Sequence, residues 1–345
     1  MKNKSMQKDK FENKSNSHES YLSDQFFRNI KLLSSADIKR LICMEEAINV
    51  VELAFASYSD GKSQVPQRYV SGIRGVGMDL FFKPAYNEML GRIAVKILTQ
   101  KKDNIHKEIP TILGVVLLLD MNTGAILSII DGTYLTALRT GAASGIATRL
   151  LARENAETVA IFGCGAQGKT QIEAICNVRP VKHALLYDIN TDTAGKFKIA
   201  MEKELDISIH VEKDLRKLKQ ADIICTATNS EMPLFSRDDI SEGVHINAIG
   251  SYKPNMQEID PLILKSSVLY ADSRESVLKE SGDLIKPIKD RVFSEDIIKA
   301  EIGDLINNKV AGRQTDDDIT IFKSVGLGVQ DLFVANAIYN KYIED

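Results

Sequence analysis

The segment Thr158 to Gly168, TVAIFGCGAQG, constrains the fold more than any other stretch of the chain. Val159 to Phe162 is a short apolar run of the kind that forms a strand buried on both faces. Gly163, Gly165 and Gly168 follow at G-x-G-x-x-G spacing, and Lys169 to Ile175 reads as the opening turns of a helix. Each glycine has a physical task in such a loop. The first permits the tight turn out of the strand, the second lets a pyrophosphate approach the backbone, and the third lets the helix pack close to the sheet. The helix N-terminus then presents unpaired N–H groups and a positive dipole end to phosphates.

A glycine pattern by itself is weak evidence, and the next segment strengthens it. His183 to Tyr187 is a second apolar run ending in Asp188, about 20 residues after Gly168, where the dinucleotide-binding fingerprint places an acid. A carboxylate there accepts hydrogen bonds from both ribose hydroxyls and repels a 2′-phosphate. Ile189-Asn190-Thr191 follow without an Arg or Lys, so the expected cofactor is NAD(H) rather than NADP(H). The competing reading makes Asp188 a helix-capping residue in a flavodoxin-like turn.

Strand and helix alternate from Thr158 onward. Apolar runs at Val159–Phe162, His183–Tyr187, Ile207–His210, Ile223–Ala227, Val244–Ile249 and Val268–Ala271 predict a doubly wound parallel sheet. Upstream, the pattern is antiparallel and β-rich. Val65–Val70, Gly77–Pro84, Arg92–Leu98, Ile112–Asp120 and Ala125–Ile130 read as strands. Arg92–Leu98 alternates, with Arg92, Ala94 and Lys96 on one face and Ile93, Val95 and Ile97 on the other. Helices frame these strands. Ser34 or Ser35 can cap a short one, Met44–Ser59 has amphipathic spacing, and Val329–Tyr342 comes last. Tyr134–Leu151 is long and rich in small residues, which allow close approach of a backbone or a ligand. Thr320–Gly326 reads as a further short strand or a loop.

A chain of 345 residues accommodates about two domains. A formal net charge of −3 points to no nucleic-acid partner, and no apolar run reaches the ~18 residues that a membrane helix needs. Residues 1–30 are polar with no apolar signal core, and a disordered leader is expected there. Cys43, Cys164, Cys176 and Cys225 form no C-x-x-C pair, and the histidines show no metal-ligand spacing. Reduced thiols, a cytoplasmic location and no metal site are the expectation.

Three cations stand out in the β-rich part: Arg68, Lys96 and Arg139. A charge in a buried setting is costly unless paired, and a carboxylate-bearing ligand would supply the partner, held by a bidentate Arg fork. Lys96 could also move a proton if burial lowers its pKa. The alternative is that each is a solvated strand residue or a snorkelling side chain. Thr140 could bond a phosphate, or be an ordinary helix threonine. Thr226-Ala227-Thr228 and Ile249-Gly250-Ser251 end strands on the carboxyl edge, where ligands bind in such sheets. Asp331, near a helix start, reads as a structural partner rather than a catalyst. Asp79 alternates with Phe81 and either faces the same pocket or is exposed.

IDGTYLTALRTGAASGIATRLLAREN followed by TVAIFGCGAQG resembles the ornithine cyclodeaminase/μ-crystallin family. HINAIGSYKPNMQEID, LYADSRESVLKESGD and ITIFKSVGLGVQDL are similar to later signatures of that family, so the likeness spans about residues 33–342. The resemblance implies an NAD(P)-dependent homodimer acting on a small amino or imino acid. It implies a split α+β domain for substrate binding and dimerisation, residues 31–139 plus 318–345, around a Rossmann domain at 140–317. Carried over by motif, Arg68, Lys96 and Arg139 match the substrate-carboxylate cluster, and Thr140, Gly165, Ala166, Gln167 and Asp188 match cofactor contacts.

Two departures bear on the reaction. Ornithine cyclodeaminases of this family carry an Asp two residues after the glycine of the N-A-(I/V)-G segment, where Tyr252 stands here. They also carry a Glu shortly before a Met-Pro pair, near Phe81, ahead of Lys83-Pro84. The expected activity is therefore hydride transfer between substrate Cα and nicotinamide, as in the alanine dehydrogenase and ketimine reductase branches. The alternatives are a cyclodeaminase that turns L-ornithine into L-proline and ammonia, a synthase-type enzyme that condenses two substrates through an imine, and a non-catalytic NAD(P)H-binding protein.

Overall fold

The computed structural model describes residues 26–107 and 109–345. Most of the expected leader lies outside the described residues; within it, Phe26 to Arg28 form a helical turn in place of disordered chain. No helix among the described residues is long and apolar enough to cross a membrane.

The first of two sheets comprises β1 (Lys31–Leu33), β2 (Ser63–Gln64), β3 (Tyr69–Ile73), β4 (Met78–Asn87), β5 (Arg92–Gln100), β6 (Ile112–Asp120) and β7 (Ile126–Asp131). Their order is β1-β7-β6-β5-β4-β2, with β3 also on β4. The pairs are antiparallel except that β1 joins β7 in parallel. The strand expected at Val65–Val70 begins late. Residues 65–68 have no regular structure, where Pro66 lacks the N–H that a ladder requires, and β3 starts at Tyr69. Arg68 thus stands on a loop rather than a strand. β1 escaped the sequence reading because three residues carry no usable period.

The second sheet comprises β8 (Thr158–Phe162), β9 (His183–Tyr187), β10 (Ser208–Val211), β11 (Ile223–Thr226), β12 (His245–Ala248), β13 (Val268–Ala271), β14 (Ile298–Glu301) and β15 (Thr320–Lys323). It is parallel throughout, in the order β10-β9-β8-β11-β12-β15-β13-β14. This is the doubly wound sheet that the alternation predicts. The winding reverses between β8 and β11, so the Gly163 loop and the Thr226 loop meet at the carboxyl edge. Thr320–Gly326 is both things at once: its first four residues form β15, and the rest loop into the last helix.

The helices are α1 (Ser35–Leu41), α2 (Met44–Ser59), α3 (Gly132–Leu151), α4 (Ala166–Val178), α5 (Thr191–Leu205), α6 (Pro261–Lys265), α7 (Arg274–Glu280), α8 (Gly282–Lys289), α9 (Ile302–Ile306) and α10 (Gly328–Glu344). Ser34 caps α1 in a capping box with Asp37. α3 touches both sheets, and its small residues let α2 and α4 pack close against it. A Cβ on Gly141 would lie 2.4 Å from Thr170 O, and one on Gly145 would lie 2.8 Å from Ile48 Cδ1. A division between residues 139 and 140 therefore falls inside a helix shared by both halves.

The alternation of β5 holds, but the buried face is the one that carries Lys96. Ala94, Lys96, Leu98 and Gln100 are buried, whereas Ile93, Val95 and Ile97 stay half-exposed. β4 follows suit, burying Phe81, Lys83 and Ala85. The cause is α10, which packs on that face so closely that a Cβ on Gly328 would meet Pro84 O at 2.7 Å.

Candidate active site

The glycine loop shows why each glycine is needed. Gly163 has φ +95°, and a Cβ on it would lie 2.6 Å from Ala227 O. A Cβ on Gly168 would lie 2.3 Å from Gly163 O. Gly165 differs, because a Cβ there meets nothing within 4 Å. Its space is open, and no side chain caps the α4 N-terminus that begins beside it. Asp188 Oδ2 accepts from Cys164 N–H at 2.8 Å, which sets the carboxylate against the loop. Asn190, not Asp188, caps α5, which removes the competing reading of the acid. An open cradle, free helix N–H groups and an adjacent carboxylate fit a dinucleotide with an unphosphorylated ribose.

A buried acid ties down the loops after β11 and β12. Glu258 Oε1 accepts from Thr228 N and Oγ1, both at 2.7 Å, and Oε2 accepts from Gly250 N at 2.7 Å and Thr226 Oγ1 at 2.8 Å. Burial pushes the Glu258 carboxyl up and nearby Asp283 adds to this, while Lys323 opposes. Asp272 does the same for the loop after β15, accepting from Ser324 Oγ, Val325 N and Gly326 N.

A cavity of about 400 Å³ lies between the two sheets. That is the size of a small-molecule site. On its wall stand Arg68 and Arg139, together with Thr140, Gly165, Ala166, Gln167, Ala227, Thr228 and Gly250. Four expected site residues stand back from it: Gly163 and Asp188 shape the glycine loop, Thr226 bonds Glu258, and Lys96 lies fully buried beneath. Lys83 reaches the wall instead. Apolar side chains line the cavity as well, among them Phe81, Leu98, Ile112, Ala137 and Ile249, together with Tyr252. Tyr252 OH accepts from Gln100 Nε2 at 2.6 Å. Asp79 shares the Phe81 face but is not on the wall; Lys253 Nζ holds it at 2.7 Å.

The cations are organised by one carboxylate. Asp331 Oδ1 accepts from Lys96 Nζ at 2.6 Å and from Arg139 Nε at 3.0 Å. Arg139 Nη1 donates to Gln330 Oε1 at 3.3 Å, leaving Nη2 without a partner among the described residues. Burial alone would raise the Asp331 carboxyl, but Lys96 and Arg139 hold it below the usual range. Burial, and then Arg139, push Lys96 down to about 7. Arg68 pairs with Glu280, and its guanidinium also donates to Val325 O and Tyr252 O at 3.4 Å. Thr140 Oγ1 donates to Thr136 O at 2.7 Å, so its hydroxyl hydrogen is used within α3.

Sequence reasoning passed over Lys83, Glu258 and Asp272. Lys83 had a signal, a lone charge inside the run Leu80-Phe81-Phe82-Lys83-Pro84 two residues from Phe81. Asp272 had one too, an acid at the carboxyl end of a parallel strand. Glu258 lies in a loop, where no period marks it.

Residues 28–345 match the Ornithine cyclodeaminase/mu-crystallin family. The chain is 38% identical to a Bacillus cereus Δ1-pyrroline-2-carboxylate reductase over 91% of its own length and 97% of that protein. A Thermococcus litoralis Δ1-pyrroline-2-carboxylate reductase in complex with NADH and L-proline superposes with a TM-score of 0.89 at 39% identity, covering 91% of this chain and 98% of that one. An archaeal alanine dehydrogenase dimer with bound NAD gives 0.86 at 34% identity, covering 91% and 96%.

Proposed function

The chain belongs to the ornithine cyclodeaminase/mu-crystallin family, and from that premise we propose that it reduces a cyclic α-imino acid of the Δ1-pyrroline-2-carboxylate class. It is an NAD(H)-dependent oxidoreductase of α-amino and α-imino acids. The observation that carries the finer reading is the wall of the cavity. Cationic and apolar side chains line it together, and no Asp or Glu lines it among the described residues. A carboxylate on a compact apolar ring matches that lining, while the side-chain ammonium of ornithine would meet no acid among the described residues.

The substrate carboxylate is assigned to Arg139 Nη2, with Arg68 on the same wall. Asp331 and Gln330 keep the guanidinium oriented, so the fork is set before substrate arrives. Lys96 shares Asp331 and supports the cluster from beneath. Phe81 and Leu98 face the ring and keep water from the C=N carbon. Gly165, the first turn of α4 and Asp188 would hold the pyrophosphate and ribose, and NADH supplies the hydride when bound. The first sheet with α10 forms the substrate unit and the second sheet the cofactor unit.

The test follows NADH absorbance with Δ1-pyrroline-2-carboxylate, with its six-membered homologue, with pyruvate plus ammonia, and with L-ornithine. The cyclic imines should lead pyruvate in kcat/KM by about tenfold or more, since a pocket shaped for a ring loses that much on a smaller acyclic substrate. Ammonia released from L-ornithine at constant NADH would overturn the reading.

A homodimer belongs to the same proposal. The outer face of the first sheet carries half-exposed Val95, Ile97 and Leu117 in neighbouring strands, with exposed Tyr69 at 63% on β3 beyond them. A second copy of this chain is the occupant that the archaeal alanine dehydrogenase dimer suggests. Light scattering should give twice the 38.3 kDa of the chain. Val95→Lys should give the monomer, and a Val95→Lys protein that stays dimeric would place the interface elsewhere. A cytoplasmic location is the setting proposed for the enzyme, whose four cysteines are free thiols.

A further inference from the structure

Lys83 stands on the cavity wall and, among the described residues, hydrogen-bonds to no carboxylate. It lies directly opposite Lys96 in the β4–β5 ladder, and both side chains are on the buried face. Two ammonium groups placed so repel each other, and exclusion of water strengthens the repulsion. Their partners decide which keeps its charge. Lys96 has Asp331 at 2.6 Å and no exposed surface. Lys83 has two neutral carbonyls, Gly326 O at 3.1 Å and Val325 O at 3.4 Å, and keeps 7% exposure.

We propose that Lys83 is a catalytic residue that carries the proton to and from the substrate nitrogen, a role that rests on the imino-acid reading of the cavity. A neutral amine has two N–H donors and one lone pair. The two donors are taken by Gly326 and Val325, so the fourth position on Nζ is the one left for a ligand. The charged groups facing Lys83 are Arg68 from the loop before β3, Lys96 from β5, Arg139 from α3 and Asp331 from α10. Glu280 stands behind Arg68, and Asp272 behind the loop whose carbonyls accept from Nζ. Burial first, and then Arg68, Lys96 and Arg139, hold the ammonium form of Lys83 far below the usual lysine range.

A substrate carboxylate arriving at Arg139 adds negative charge and raises the affinity of Lys83 for a proton. Binding therefore loads the proton that the reaction consumes. In reduction the C=N π pair moves to nitrogen, which takes the proton from Nζ, while carbon takes the hydride that NADH supplies on becoming NAD+. Lys83 is left neutral and is reprotonated by solvent, as is the product amine. In the reverse direction neutral Nζ accepts the proton of the secondary amine.

Lys83→Met keeps an unbranched side chain and removes a buried amine, so the fold should hold and NADH fluorescence titration should match wild type. Its kcat for reduction should fall by about 100-fold or more. Wild type should lose reduction and gain L-proline oxidation as pH rises through the titration of Lys83, and the variant should lose that limb. Calorimetry with pyrrole-2-carboxylate, in buffers of different ionisation enthalpy, should show up to about one proton taken up per site by wild type and none by the variant. Lys83→Arg, which stays charged, should bind the analogue and remain inactive. Lys83→Met with kcat within threefold of wild type and its pH limb intact, or with unchanged proton uptake, would pass the role to Lys96 and overturn the proposal. A wild-type enzyme inert to every imine would instead sink the assigned reaction, and proton uptake would still decide for or against Lys83.

Discussion

Asp331→Ala should cost about 3–5 kcal/mol of stability and abolish turnover, because it leaves buried cations without their counter-charge. Asp331 is 1% exposed, and Oδ1 serves both Lys96 and Arg139. Arg139 cannot shed its proton, so its charge stays in the interior uncompensated. Lys96 can shed its own, and the sign of the pH effect follows from that. In wild type Asp331 opposes the burial that brings Lys96 down to about 7. Without Asp331 the folded-state pKa of Lys96 drops further below its unfolded value. The unfolded chain then binds more protons over a wider range, and stability falls as pH drops. Asp331 itself lies below the ordinary carboxylate range and does not titrate in that window. The deficit against wild type should therefore widen between about pH 7 and pH 5 and level off above pH 7. Thermal melts at pH 8 and pH 5.5 measure it. A melting temperature within about 2 °C of wild type at both values would mean that solvent, not Asp331, balances these cations. Asp331→Asn keeps the shape and an acceptor, and should recover part of the stability without the activity.

Gly165→Val should do the opposite, leaving the fold alone and removing the cofactor. The backbone of Gly165 has φ −89° and ψ −165°, which any residue adopts without strain. A Cβ there meets no atom within 4 Å, so no packing is disturbed. That same open space is where the pyrophosphate would approach the backbone, and two methyl groups fill it. NADH affinity should fall by about 100-fold, or ~2.8 kcal/mol, with the melting temperature of the cofactor-free protein unchanged. Gly163 could not separate the two effects, since its φ of +95° and its contact with Ala227 O make it structural. Fluorescence titration of NADH gives the answer, and a Kd within threefold of wild type would show that the phosphates bind elsewhere.

The parts of the site that were legible in the sequence are those set by local chemistry. The strand–glycine loop–helix unit and the acid after β9 are encoded within some thirty residues. Hydrogen bonding in a helix is local, and strand alternation needs no knowledge of a partner. Arg68, Lys96 and Arg139 were visible as charges in apolar or small-residue surroundings, a pattern that burial makes costly and that points to pairing. The departures at Tyr252 and Phe81 were likewise readable, and each stands on the wall of the cavity, which no acid lines among the described residues.

Which lysine reaches the cavity was not legible. That depends on the register that sets Lys83 opposite Lys96, and on α10 burying the polar face of β5 rather than its isoleucines. The counter-charge to Lys96 comes from a residue 235 positions away, and the acid that holds the Thr228 loop comes from the loop after the next strand, 30 positions on. The sequence by itself determined most of the elements and the cofactor loop, because φ/ψ preference, periodicity and glycine sterics act over a few residues, and the likeness of its motifs to a family pointed to the chemistry. Tertiary structure alone decided where each charge is buried and what neutralises it, because the energy of a buried charge is set by whatever the fold brings within a few ångströms of it.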